Sequence, residues 1–465
     1  MRALFDILSF PKRFFSPANV PRMARPTYVQ ELKAFSHYYV AVSLVEGAIV
    51  GLLAKKVFDV NDFQLTLITS APMFANLTSF MWEHLALGRS KVAMICRLLT
   101  MILLGICLVA FLPISPMGRW GLTGLIVSIR CLIAGVVTIR SVIWRHNYPK
   151  HMRSQITGRT TVVVQIILLI APVVFSFYID YDENMFRAIY PLGAVVGVFG
   201  VIHFSKIRMR REAELLEYER LHLEKGDTKS VWPGSRMLEV LKSDHLYRKY
   251  LVCQFMAGVS NMMVEPVFIK VIAERTQGMR FDMVASVGIA HTLPVMIAML
   301  MTPLWAIYLD RVHVTRFRVR QSWLWFVGQG VIAIGVLWAE TVWGALLYFA
   351  IARFILGVAR GGGMLAWNLG HLDFAKRELV AVYMAIHVTL TGVRGAIAPL
   401  VGMGLYVGWG ALVVDGEVWI PAFDGIGGYV FFVAGCFGLL SAFGYYRLEK
   451  RMIKEGYETT YRRDG

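Results

Sequence analysis

Arg353 to Pro399 reads RFILGVARGGGMLAWNLGHLDFAKRELVAVYMAIHVTLTGVRGAIAP: an apolar helix carrying two arginines, a charged loop, and a second apolar helix closing on Ile-Ala-Pro. The first half of the chain repeats this outline. Trp120, Arg130 and Trp144 are matched by Trp343, Arg353 and Trp367, each 223 residues later, and the earlier copy also closes on Ile-Ala-Pro, at Pro172. Three matches at one offset, with an arginine between two tryptophans, are far harder to reach by chance than a single tryptophan pair. Nearby offsets relate Glu83 to Asp310 and Glu46 to Glu265, as loop insertions and deletions allow. The chain reads as one unit written twice.

Composition sets the solvent of that unit. Of 465 residues, 57% are apolar and 17% charged, and apolar runs long enough to cross about 30 Å of hydrocarbon recur throughout. A soluble core is excluded. The net charge of +17 would suggest nucleic acid in a soluble protein. In a multi-pass membrane protein it follows from cytoplasmic loops rich in Lys and Arg, so no nucleic-acid partner is expected. The five cysteines lie in apolar segments without CxxC spacing, and neither a disulfide, a metal site nor a cofactor is expected.

Twelve spans are predicted, near 36–57, 64–85, 92–114, 119–144, 158–180, 187–206, 249–271, 283–309, 320–339, 342–370, 380–408 and 425–446. Strand-like alternation is absent, which excludes a β-barrel and leaves an all-α integral membrane fold. An even number of spans, with basic loops on one side and acids such as Asp59, Asp62, Asp182, Glu183 and Asp424 on the other, puts both termini in the cytoplasm. The expected layout is an interfacial N-terminal segment (1–35), a six-helix bundle (36–206), a charged linker (207–248), a second six-helix bundle (249–446) and a short tail (447–465). Within the first segment, MRALFDILSFPKRFF reads as a short interfacial helix rather than a cleaved signal peptide. In the linker, a charged helix stops at Gly226, and Ser235 caps a short amphipathic helix with Met237, Leu238 and Leu241 on one face. Each half holds six spans, so the two bundles run parallel, related by an axis along the membrane normal.

Several features together resemble the major facilitator superfamily. They are the two six-helix halves, the charged linker, MLEVLKSDHLYRKYL leading into span seven, acidic-then-basic loops after spans two and eight, and Arg353-x-x-x-Gly357 in span ten. The loop after span eight, YLDRVHVTRFRVR, keeps an Asp-Arg start and a basic finish; in the loop after span two, MWEHLALGRSK, Glu83-His84 stands in place of Asp-Arg. Span five lacks a Gly-Pro antiporter motif, which speaks against drug–proton antiport. The resemblance implies a monomeric transporter of the cell inner membrane in which spans one, four, seven and ten line a central cavity. It also implies that Glu83, Arg89, Asp310, Arg311 and Arg316 act at the gates.

An ionisable side chain at mid-bilayer costs about 3 kcal/mol on insertion scales, so each one calls for a reason. Spans one, four, seven and ten each carry one: Glu46, Arg130, Glu265 and Arg353. Arg130 and Arg353 are read as forked donors to an anionic or carboxylate-bearing solute, with Glu46 or Glu265 taking a proton. The alternative is that the same residues form neutralising salt bridges that help the bundles assemble. Asn261 lies four residues before Glu265, and Pro266 follows it and would kink the helix there. His387, Thr391 and Arg394 share one face of span eleven; Arg394 joins the solute-binding set, and His387, with His291 in span eight, the proton-coupling set. Arg360-Gly361-Gly362-Gly363 has no preceding strand and no following Lys-Ser/Thr, so it reads as helix packing rather than a phosphate loop.

The expected function is secondary active transport of a small polar, anionic organic solute by alternating access, coupled to protons, and not catalysis. Two alternatives stand beside it. One is a membrane-embedded transferase using His146, His151, His371 and Asp373 on cytoplasmic loops; the other is a sensor that binds without translocating.

Overall fold

The computed structural model describes residues 15–149, 152–224, 233–375, 379–414 and 417–459. The N-terminal interfacial helix expected over residues 1–15 lies outside them except for Phe15, and the stop at Gly226 and His151 lie outside them too. The described chain is helical apart from one short hairpin. In order the helices are α1 (Arg25–Ser43), α2 (Gly47–Lys56), α3 (Asp62–Phe74), α4 (Ser79–Ala86), α5 (Lys91–Leu108), α6 (Pro116–Asn147), α7 (Arg153–Tyr181), α8 (Phe186–Ser205), α9 (Glu212–Glu224), α10 (Pro233–Ser243), α11 (His245–Met262), α12 (Glu265–Arg275), α13 (Asp282–Val287), α14 (Leu293–Leu309), α15 (Val314–Leu337), α16 (Val342–Leu369), α17 (Val380–Val407) and α18 (Val430–Lys454). Among the described residues ten helical stretches are long and apolar enough to cross a membrane.

The two remaining expected spans take other forms. The one expected at 64–85 consists of α3, a 3-10 turn (Ala75–Thr78) and α4. Pro72 inside α3 removes a helical hydrogen bond just before the turn. The one expected at 320–339 belongs to α15, which starts six residues earlier, at Val314, and takes Arg316, Arg318 and Arg320 into its first turns. β1 (Leu412–Val414) and β2 (Glu417–Ile420) pair antiparallel beyond α17, too short for their alternation to register in the sequence.

Helix starts follow local chemistry. Ser115 accepts the Gly118 N–H at the head of α6, Thr341 that of Gly344 at the head of α16, and Asp244 that of Tyr247 at the head of α11. Asn61 and Gln64 form a reciprocal capping box on α3. The described part of α10 runs from Pro233 and includes Ser235, the expected cap. Its buried face is Met237, Val240 and Leu241, while Leu238 is exposed.

The chain divides into two compact units, Met1–Ile49 with Thr78–Lys229, and Val50–Leu77 with Ser230–Gly465. In the first, α1 packs against α8, and α5 against α6 and α8. Small residues permit the approach: a Cβ on Gly200 would lie 2.7 Å from the Ala34 carbonyl oxygen. In the second, α15 packs on α16 and α18, and α14 on α16. There Gly361 sits against the Ala298 carbonyl, where a Cβ would come within 2.7 Å. Residues 50–77, expected in the first bundle, lie in the second unit. Lys56 pairs there with Asp282 at 3.0 Å and Asp62 with Lys270 at 2.6 Å.

Candidate functional site

The first span is not one helix. α1 stops at Ser43 and α2 starts at Gly47, whose φ of +58° only glycine adopts freely, so Leu44, Val45 and Glu46 leave the helical path. A break in an apolar helix strands carbonyls that must find donors. The buried Tyr190 hydroxyl donates to the Leu44 carbonyl at 2.9 Å. Arg130 on α6 donates through Nη2 to the Val45 carbonyl and through Nη1 to Glu46 Oε2 at 2.6 Å.

The second unit holds the counterpart. α11 ends at Met262 and α12 begins at Glu265, with Pro266 in its first turn, where it needs no N–H partner. Asn261 lies in the last turn of α11, just before the break, and Glu265 is the first residue of α12. Glu265 stands at a helix N-terminus, which favours negative charge. Arg353 on α16 meets its carboxylate at 3.2 Å, and the guanidinium lies 3.8 Å over the Phe268 ring. Arg353 Nε and Nη2 are buried without acceptors among the described residues.

Both pairs share a polarity. The arginine side chains are 4% and 7% exposed, whereas Glu46 and Glu265 are 31% and 39% exposed. The cation is fixed in the protein and the acid is its accessible partner. Discontinuous helices with charged groups at the break are a recurring way to build a binding site inside a membrane.

The other predicted residues fall in three places. His291 is buried in a single turn of π-helix, Gly288–Thr292. His387, Thr391 and Arg394 share one face of α17: Arg394 Nη2 donates to Thr391 Oγ1 at 3.2 Å, which donates to the His387 carbonyl at 2.9 Å. Glu83, Arg89, Asp310 and Arg311 are exposed. Near them the loops are held by charged contacts to other helices, in which Glu219 and Glu449 are the partners the sequence did not single out. Lys91, buried, pairs with Glu219 of α9 at 2.6 Å, and the Gly88 N–H donates to the same carboxylate at 2.7 Å. In the second unit Arg316 lies 3.5 Å from Glu449, and Asp373 accepts the Val314 N–H at 2.8 Å. His146 contacts the Val142 carbonyl of its own helix. A cavity of about 910 Å³ lies in the first unit between the start of α1 and the segment after α8, lined by Arg25, Lys206, Arg208 and Arg210 among others.

Missed altogether was Glu31, buried in α1, which accepts from Trp144 Nε1 at 2.6 Å and from the Tyr148 hydroxyl. Burial beside that carboxylate pushes the Tyr148 phenol far above its ordinary range. An acid between Gln30 and Leu32, in a segment placed outside the spans, gave no sign of burial.

Ten apolar crossings in two helical units, each with a charged pair at a helix break, define a multi-pass membrane protein of transporter type. The chain belongs to the Major Facilitator Superfamily, whose model matches residues 35–320. No curated protein matches it. Among solved structures it is similar to the nucleoside transporter NupG, at 11% identity and a TM-score of 0.65 over 90% of this chain and 99% of that one. It is similar also to the xylose transporter XylE from E. coli, at 12% identity and a TM-score of 0.59 over 93% and 99%. A third is a POT family transporter in complex with 5-aminolevulinic acid, at 12% identity and a TM-score of 0.63 over 91% and 96%. At these identities the likeness is one of fold.

Proposed function

We propose that this transporter carries a small polar, anionic organic solute coupled to protons, and that the Glu46–Arg130 and Glu265–Arg353 pairs are where proton and solute exchange. The observation that carries the reading is the polarity of the pairs: a buried arginine held by a more accessible glutamate. Protonating Glu265 removes the charge that neutralises Arg353 and leaves a fixed guanidinium with free donors. A solute carboxylate then takes the place of the glutamate, forked donor to planar acceptor. Each ligand favours the other's binding, which is the requirement for coupling. Arginine cannot give up its own charge at any accessible pH, so the glutamate is the switch.

In this reading the protein is a monomer of the cell inner membrane with both termini cytoplasmic. Glu83, Arg89, Asp310, Arg311 and Arg316 serve the gates, and His291 and His387 are secondary stations for the proton.

The test is uptake into proteoliposomes with an imposed pH gradient. Glu46→Gln and Glu265→Gln are expected to lose most of the gradient dependence while retaining downhill exchange; full dependence in both variants would sink proton coupling. Arg130→Ala and Arg353→Ala are expected to weaken solute binding at least tenfold, the scale of a lost charge-assisted hydrogen bond of about 1.5–3 kcal/mol. Unchanged binding in both refutes the assignment.

A further inference from the structure

The second unit contains two buried arginines that no carboxylate neutralises. Arg318, near the start of α15, is 7% exposed, and Arg394, in the middle of α17, is 6% exposed. All their hydrogen-bond acceptors are neutral. Arg318 Nη1 donates to Gln321 Oε1 at 2.7 Å; Arg394 Nη1 donates to the Gln254 carbonyl at 2.6 Å and Nη2 to Thr391 Oγ1 at 3.2 Å. Neither guanidinium forms an ion pair among the described residues, and the Nε–H of each is buried without an acceptor. The two lie within electrostatic reach of each other, so each raises the cost of the other.

Further orphaned groups share the neighbourhood. The Tyr445 hydroxyl and His387 Nε2, both buried, have no partner among the described residues, and the fully buried Tyr250 hydroxyl lies beside the Arg318 guanidinium. The two tyrosine rings stand 5.6 Å apart, and both feel the charge of Arg318 and of Arg394. Asp373, the acid that reaches Tyr250, is engaged by the Val314 N–H at 2.8 Å and lies 3.9 Å from His313. The backbone has been opened for one of the cations: a Cβ on Gly258 would lie 2.3 Å from Arg394 Nε.

Buried lysine or histidine can shed a proton to escape such a setting, but arginine cannot. Two fixed positive charges in a low-dielectric interior therefore need a negative charge from elsewhere. The groups left free to donate are two guanidinium N–H and the phenolic O–H of Tyr250 and Tyr445, beside one imidazole nitrogen and one unpartnered acceptor, Gln254 Oε1, on α11, α15, α17 and α18. We propose that this cluster binds a small inorganic anion of the halide class, held inside the second unit independently of the Glu265–Arg353 pair. A monovalent, weakly hydrated ion is easier to strip of water than phosphate or sulfate, and it accepts from donors arriving in any direction. The same donors would also take a carboxylate, the other source of this chemistry.

The test uses the full chain purified in detergent without halide, with gluconate as the counter-ion. Thermal unfolding is followed while sodium bromide, sulfate or acetate is added at constant ionic strength. A saturable rise in Tm with bromide is expected, because an ion that binds only the folded state stabilises it. Arg394→Gln is expected to abolish the rise, and Tyr445→Phe, which removes one donor and no charge, to weaken the bromide midpoint about fivefold. Arg353→Gln is expected to keep the bromide response, so this site is judged separately from the solute reading. In crystals soaked with bromide, the anomalous peak is expected between Arg318 and Arg394, which decides the matter should Arg394→Gln fail to fold. A saturable rise with acetate alone or sulfate alone overturns the halide assignment. No saturable rise with any anion, or a bromide peak remote from both arginines, overturns the site.

Discussion

Glu46 and Arg130 lie 2.6 Å apart with very different exposure, and the consequence of losing one depends on which remains. Glu46→Gln leaves a buried guanidinium without its counter-charge. Breaking a fully buried pair costs about 3–5 kcal/mol, and because Glu46 is 31% exposed and water screens it, the expected loss is about 1–3 kcal/mol. The double variant Glu46→Gln/Arg130→Gln removes both charges and is expected to be more stable than the sum of the two single losses. Denaturant unfolding in detergent measures this, and strictly additive losses would show that the two side chains are not coupled. Glu46, Arg130, Glu265 and Arg353 were visible in the sequence because an ionisable side chain inside an apolar run has nowhere to hide. Arg318 was not. It sits where a basic loop and a span meet, and its burial depends on side chains from helices far apart in the chain.

At the scale of the element, the decisive features are the two helix breaks. Pro266 announces the second, although the break falls before it, at Met263–Val264. The first has no proline; only the positive φ of Gly47 accounts for it, a backbone property that a run reading GAIVGLLAKK does not reveal. Gly47→Ala is expected to cost about 1–2 kcal/mol of stability, the penalty for a side chain in left-handed geometry, with little loss at the neighbouring Gly51→Ala if Thr69 can shift. The head of α15 carries a pH response of its own. Burial holds the His313 imidazole below its ordinary range, against the opposing pull of Asp373, and His371 is lowered by burial too. With folded values below the unfolded one of about 6.5, the unfolded chain takes up more protons as pH falls, so stability is full above that value and declines beneath it. Melting temperature is expected to drop between pH 7.5 and 5.5. His313→Asn keeps an acceptor for the Thr315 N–H and is expected to flatten the drop; an unchanged slope would place the titration elsewhere.

Across the whole molecule, the duplication and the membrane class were legible from the 223-residue offset and the apolar runs. The linker's role was not, because its partners lie more than a hundred residues away. α9 is the charged helix of that linker, in which Glu219 grips Lys91 and the Gly88 N–H, and Glu212 accepts from Ser90 at 2.6 Å. Lys91→Ala is expected to release α9 and to raise its rate of cleavage in limited proteolysis several-fold, without changing the pattern elsewhere; an unaltered rate would make the clamp incidental.

The membership of residues 50–77 in the second unit has a meaning in time. Lys270, the partner of Asp62, is made 208 residues later, and Thr276, which accepts from Lys56, 220 residues later. At the pace of protein synthesis, about 5–20 residues per second, that is a wait of roughly 10–40 s. Through that interval α3 carries Asp62 without Lys270. The early stretch therefore completes its packing only after the first helices of the second unit have been made.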